Sequence, residues 1–252
     1  MKKQVESGVM GKLKHLKLKS QVACVECSAR RHAWFKPCND EILELHQNHR
    51  TSQSHLASGD YLFMEGEKPQ SVYTLQEGWV ICFKSLANGQ RQILHIGLAG
   101  DFLGYRVDFD KPIDYSVVAI TECTICAFSG EAISTLLQAD ANLINRLFEI
   151  HSETSQQCRT SLSYVGQSAA KLKVAFFLSS MISRLESRGV DISKPIFFPL
   201  TREEIADAIG VTSVHLCRVS VELRRSNVVD CRHGRLELLS AKKLKTLASS
   251  VF

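Results

Sequence analysis

The spacing of apolar positions divides the chain into stretches of different period. Residues 1–20 are polar and basic with no clean period and predict a tail; Leu13, Leu16 and Leu18 leave a short docking helix open, and a phosphate-contacting arm is the other reading. Asn39 or Asp40 then caps a short amphipathic helix through Ile42, Leu43 and Leu45. From His55 to Phe128 the period shortens to that of strands, in the runs YLFMEGE, SVYTLQEGWVICFKSL, RQILHIGLAGDFLGY and YSVVAITECTICAF. Glu-Gly, Asn-Gly and Ala-Gly pairs punctuate the runs, which predicts an antiparallel roll or sandwich with a hairpin at Asn88-Gly89. From Gly130 the period becomes helical. Leu136, Leu137, Leu143, Ile144, Leu147 and Ile150 form one apolar face that continues to Leu162 and Val165, so a single long helix is expected. Its apolar surface exceeds what the roll can cover, and a second copy of the chain is the simplest partner. Ala169 to Leu185 predicts a further amphipathic helix.

The segment Pro199 to Ser226 carries the densest set of local signals. Thr201 with Glu204 three residues on is a reciprocal capping pattern, Ile205, Ala206 and Ile209 follow at helical spacing, and Gly210 ends the helix. A second helix begins at once, capped by Ser213 or Thr212. Val214, Leu216, Val219 and Leu223 are read as its apolar stripe, and Ser213, His215, Arg218, Arg224 and Arg225 as its polar side. Helix, short glycine turn and basic second helix make a helix-turn-helix, the unit that places its second helix in the major groove of DNA. Asn227 to Leu239 alternates about a His-Gly turn, as a wing hairpin does.

Composition narrows the field. The 252 residues are enough for about two domains, and 44% hydrophobic residues fill real cores. A net charge of +5 suits an anionic partner, and its placement on the second helix matters more than its sum. No apolar run approaches the roughly 18 residues of a membrane span and the N-terminus has no apolar signal core, so a cytoplasmic protein away from membranes is expected. Nine cysteines, an odd number, argue for free thiols, metal ligands or redox sensing instead of a disulfide framework. Cys24 and Cys27 form a C-x2-C pair, which presents two thiolates to one metal; Cys38 or His32 is open as a third ligand, and small buried thiols are the alternative. There is no nucleophile elbow, phosphate loop or paired-carboxylate motif, and Asp108, Asp110 and Asp114 read as solvated turn residues, so the chain is not expected to be an enzyme.

Over about residues 39–245 the sequence resembles the CRP/FNR superfamily of bacterial transcription regulators, closer to its FNR-like branch than to its cAMP-binding members. The resemblance rests on GEKPQSVYTLQEGWVICFKSLANGQRQILHIGLAGDFLGY, which looks like that family's sensor roll, and LTREEIADAIGVTSVHLCRV, which looks like its DNA-reading end. It implies an α+β chain: tail and cysteine loop (1–38), antiparallel β-roll of the cyclic-nucleotide-binding type, a jelly roll (39–135), long dimerisation helix (136–166) and winged helix-turn-helix (167–252). It also implies a homodimer, joined through Leu143, Ile144, Leu147 and Ile150, on a two-fold symmetric operator in double-stranded DNA. RNA polymerase is then contacted to activate or occluded to repress. Thr201, Thr212, Ser213, His215, Cys217, Arg218 and Arg224 are the residues expected at the DNA.

The departures from the family pattern bear on the signal. Cyclic-nucleotide-binding relatives carry a Glu and an Arg at positions that here read as Phe102 or Leu103 and Ile113, so cAMP is not expected; Arg106 and Lys111 remain as partners for another anion. The oxygen-sensing branch holds a [4Fe-4S] cluster on three N-terminal cysteines and one from the roll. By resemblance those are Cys24, Cys27, Cys38 and Cys126, with Cys123 in reserve, although the gap to Cys38 is longer than that branch's usual one. In FNR-like readers a Glu, a Ser and an Arg read bases; those positions look like Val214, Cys217 and Arg218. Arg218 keeps the reach to guanine, and Val214 cannot accept from a cytosine amine. The alternative is a cofactor-free regulator controlled by expression level, by a small ligand in the roll, or by oxidation of Cys217, which would set bulk and charge against phosphate.

Overall fold

The computed structural model describes residues 21–106, 108–167 and 169–249; the basic tail with Leu13, Leu16 and Leu18 lies outside them. A loop of two 3-10 turns, Cys24–Glu26 and Ser28–Arg31, leads into helix α1 (Asp40–Asn48). Asn39 caps that helix, its side chain accepting from the Ile42 amide at 2.9 Å.

Eight strands follow: β1 (Ser52–Leu56), β2 (Tyr61–Phe63), β3 (Ser71–Glu77), β4 (Val80–Ser85), β5 (Arg91–Gly97), β6 (Phe102–Leu103), β7 (Ser116–Ala119) and β8 (Cys123–Ser129). They form two four-stranded antiparallel sheets, in the orders β1-β8-β3-β6 and β2-β7-β4-β5, which is the expected roll. Leu56, Phe63, Leu75, Val80, Val117 and Ile125 fill the space between the sheets. The turn from β3 to β4 needs glycine: Gly78 has φ +98°, and a Cβ there would lie 2.4 Å from the Glu122 carbonyl oxygen.

Successive side chains of a strand point to opposite faces. On β8, Cys123 and Ile125 therefore enter the core between the sheets, while Cys126 and Phe128 join a second core outside the first sheet. Trp34, Phe35 and Leu43 cover that outer core.

The single long helix expected from Gly130 is two helices, α2 (Gly130–Ala139) and α3 (Ala141–Gln167). Asp140 separates them. Its backbone is extended (φ −143°, ψ 110°), and its carboxylate accepts from the amide and the side chain of Asn142, both at 2.9 Å, so it restarts the helix. Leu143 and Leu147 are buried beside Leu136 within the chain's own outer core, and Ile150 packs at its edge. The dimer contact assigned to Leu143 and Leu147 is thus corrected: both are already buried within the chain's own core. Ile144, Phe148 and Leu162 face outward, with exposures of 40%, 70% and 74%.

The C-terminal part comprises α4 (Ala170–Ser187), β9 (Ile196–Phe197), α5 (Arg202–Ile209), α6 (Ser213–Arg225), β10 (Val229–Arg232), β11 (Arg235–Leu238) and α7 (Ala241–Ser249). The strands pair in the order β10-β11-β9. One core runs from the roll's outer face, at Trp79, Ile81 and Ile93, through α4 to Ile209, Leu216 and Leu223. Polar ties reinforce it. Arg91 meets Asp207 at 2.8 Å, Gln92 donates to the Asp207 carbonyl at 2.7 Å, and Asp101 receives His95, Arg184 and Arg188. Among the described residues no helix is long and apolar enough to cross a membrane.

Candidate DNA-reading face and N-terminal thiols

Helix α5 opens on the predicted capping box. The Thr201 hydroxyl accepts from the Glu204 amide at 3.2 Å, and the Glu204 carboxylate accepts from the Thr201 amide at 2.7 Å. Gly210 ends the helix in the left-handed region (φ 64°), turning the chain directly into α6. Of the two caps considered for α6, Thr212 is the one used, its hydroxyl accepting from the His215 amide at 3.2 Å. Ser213 is therefore in the first turn and exposed.

Helix α6 buries Leu216, Val219 and Leu223 against the domain core. Val214 does not belong to that stripe; it is 61% exposed. At about 100° per residue, Val214, Arg218 and Arg225 lie opposite the buried row, with Cys217 and Arg224 to one side and His215 to the other. Exposure follows this order: Val214, His215, Arg218 and Arg225 are exposed, and Cys217 and Arg224 are half-buried. Arg218 and Arg225 make no ion pair among the described residues. The structure thus brings Ser213, His215, Cys217 and Arg218 onto one end of α6, with Thr201 and Thr212 as caps and Arg224 at the flank. Arg225, read from the sequence on the polar side, and Val214, read both in the apolar stripe and by resemblance at a base-reading position, complete the outer face; the helical angle of Val214 against Leu216 and Leu223 decides between its two readings.

Beside α6 stands the wing. His233 and Gly234 both have positive φ (53° and 72°), the turn that matches the twist of a two-residue hairpin. Arg232 and Arg235 are exposed at the tip, Arg232 being held by Asp230 at 2.8 Å. Strand β9 adds its edge to β11 through Ile196 and Phe197.

The N-terminal thiols are arranged differently from the expectation. Cys24, Cys38 and Cys126 belong to the outer core with Trp34, Phe35 and Phe128, and Cys27 packs at its margin. The Cys24 Sγ lies 3.5 Å from His46 Nδ1, and the Cys126 Sγ donates to Gln76 Oε1 at 3.8 Å. Burial pushes the Cys38 thiol up to about 12 and the Cys126 thiol up to about 11, and raises Cys24 and Cys27, with Arg50 opposing the rise at Cys24, Cys27 and Cys126. Among the described residues no three Cys, His, Asp or Glu side chains converge as a metal requires. The donor set Cys24, Cys27, Cys38 and Cys126 has the right count for a [4Fe-4S] cluster, but its packing among aromatic rings does not fit one. Cys123 is corrected as a reserve ligand. It lies on the opposite face of β8 and donates to the Trp79 carbonyl at 3.3 Å.

In the roll, Leu103 and Ile113 are buried apolar side chains and Phe102 packs on Trp34, with ring centroids 5.2 Å apart. A cavity of about 310 Å³ at Ile113 is bordered also by Tyr105, Arg106, Lys111 and Tyr115. Arg106 is not free to hold an anion there. It donates to the carbonyls of Pro69, Phe109 (3.3 Å) and Gly104 (3.5 Å) and lies over the Phe109 ring at 4.8 Å. Lys111 is paired with Asp108 at 3.5 Å.

A roll of this topology welded to a winged helix-turn-helix defines a sensor-linked DNA-binding protein. Residues 53–140 match the cyclic nucleotide-binding domain model, and residues 173–247 match the Crp-like helix-turn-helix domain model. The chain is 29% identical over 230 residues to the nitrogen fixation regulation protein FixK of Bradyrhizobium diazoefficiens, covering 90% of this chain and 94% of that one. It is 26% identical over 209 residues to the transcriptional activator protein FnrL of Cereibacter sphaeroides, covering 82% and 83%. The structure of FixK2 from Bradyrhizobium japonicum shares the fold, with a TM-score of 0.70 at 20% identity over 78% of this chain and 96% of that one. The protein belongs to the CRP/FNR family of transcription regulators, on its FNR-like branch. It is a DNA-binding regulator and not an enzyme.

Proposed function

We propose that the chain works in the cytoplasm as a homodimer that reads a two-fold symmetric operator, one α6 per half-site, and activates transcription by contact with RNA polymerase. The observation that carries this reading is the exposed outer face of α6, where Arg218, which makes no ion pair among the described residues, stands beside Ser213 and Val214. The outward row Ile144, Phe148 and Leu162 on α3 supports a second copy as the partner that covers it. Activation is supported by the likeness to a relative named as an activator. Duplexes selected from a randomised pool should bind with two chains per duplex in sedimentation, and their affinity should fall steeply with salt. One chain per duplex, or binding indifferent to salt, would contradict the reading.

A redox signal has one specific observation in its favour. Cys217 is half-exposed on the flank of the reading helix, whereas Cys24, Cys38 and Cys126 are buried. Peroxide would oxidise its thiol to a sulfenic acid and be reduced to water, placing a polar group against the DNA backbone. Replacing Cys217 with Ser should leave operator binding intact in peroxide. Continued loss of binding in that variant would sink the thiol switch.

A further inference from the structure

Most of the valines described in the C-terminal domain are shielded. Val174, Val219, Val228 and Val229 are buried, and Val211 and Val221 half-buried. Val214 is 61% exposed, in the first turn of α6 and on the same side as Arg218. An apolar branched side chain there leaves most of its surface in solvent, and its neighbours on that face are polar or cationic. Its two methyl groups can neither donate to nor accept from a base edge. What the major groove offers such a group is the C5-methyl of thymine.

We propose that Val214 is a specificity-determining residue that packs against a thymine methyl group in each half-site. The proposal rests on α6 being the reading helix. Four residues of helix separate Val214 from Arg218 by about 6 Å along the axis. Base pairs stack every 3.4 Å or so, so the two side chains meet bases about two steps apart or fewer. A guanidinium at this position presents a two-donor fork to the O6 and N7 atoms of guanine. The half-site therefore contains a thymine within two base pairs of the guanine read by Arg218.

The test selects bound duplexes from a pool randomised over both half-sites, using the full chain, and then replaces single thymines by deoxyuridine, which removes only the methyl group. At the thymine beside the selected guanine the replacement weakens binding about fourfold, the effect of leaving one methyl group unburied. In Val214→Ala the same replacement costs less than about half of that in fold terms, while guanine is still selected. Unchanged affinity of the parent protein for the deoxyuridine duplex, or an equal loss in Val214→Ala, overturns the proposal. Selection of guanine with no neighbouring thymine overturns the role of Val214 alone, and failure to select any duplex overturns the reading of α6 beneath it.

Discussion

Asp101→Asn removes the carboxylate that holds both Arg184 and Arg188 of the C-terminal part against the roll. Asp101 lies in the turn after β5, and its carboxylate accepts from the Leu98 amide, from His95 and from Arg184, each at 3.0 Å, and from Arg188. The side chains of Asp101, Arg184 and Arg188 are only 16%, 14% and 16% exposed. Hydrogen bonds and the two guanidinium groups outweigh burial and hold the Asp101 carboxyl well below the usual carboxylate range. Asparagine keeps an oxygen for the Leu98 amide but leaves two nearly dry arginines without a counter-ion. Breaking a buried pair in this way costs about 3–5 kcal/mol, and the retained amide contact places the variant at about 3. Urea unfolding followed by tryptophan fluorescence reads this directly. With a slope of about 3 kcal/mol per molar for a chain of this size, the midpoint moves down by about 1 M. The Asp114→Asn control breaks only the exposed pair with Lys84, at 3.5 Å, and should leave the midpoint in place. Equal midpoints for Asp101→Asn and the parent would refute the reasoning.

Further expectations concern pH, assembly and backbone. Burial, then Arg184, lowers the His95 pKa, with Arg188 adding to this and Asp101 opposing it. The imidazole is thus neutral when folded, and the unfolded chain takes up the proton first as pH falls below about 6.5. Stability should decline from pH 7 towards 5 by at most about 1.4 kcal/mol per unit from this group, and His95→Gln should flatten the slope in equilibrium unfolding. Phe148→Glu should shift the sedimentation pattern from dimer to monomer with little loss of monomer stability, whereas Leu143→Ala, wholly buried, should cost about 2–5 kcal/mol of folding stability. A dimer that survives Phe148→Glu would move the interface elsewhere. Gly78→Ala should destabilise the fold by several kcal/mol in thermal unfolding, because its Cβ meets both Glu122 and Cys123 within 2.5 Å. Gly89→Ala, with φ +81° but open space, should cost about 1.

The local signals of the DNA-reading end were legible because they are written in neighbouring residues: the Thr201–Glu204 box, Gly210 and the His233-Gly234 turn each act within four positions. What depends on three-dimensional placement was not. The apolar period ran through Asp140 without a break, since a single Asx turn leaves the spacing of leucines nearly unchanged, and so Leu143 and Leu147 were placed on the wrong side. Strand β1, SQSHL, is too polar to read as a strand; its pairing with β8 and the bond donated by the Val22 amide to the Gln53 side-chain oxygen hold it. Cys123 and Cys126 differ by three positions, so strand alternation sends them into different cores, and the position of the loop bearing Cys24, Cys27 and Cys38 is set by long-range packing on Trp34 and Phe128. Val214 falls at the spacing of the apolar stripe, and apolar chemistry alone does not tell a buried valine from an exposed one; only the resemblance points it outward.

Arg218→Ala tests the central claim most directly. Binding of a selected operator duplex and of a scrambled duplex of the same length is titrated with the parent and the variant at several salt concentrations. The account predicts that the variant loses about 1–3 kcal/mol of discrimination per half-site between the two duplexes while its affinity for the scrambled one falls much less. Equal discrimination in parent and variant would contradict α6 as the helix that reads the operator.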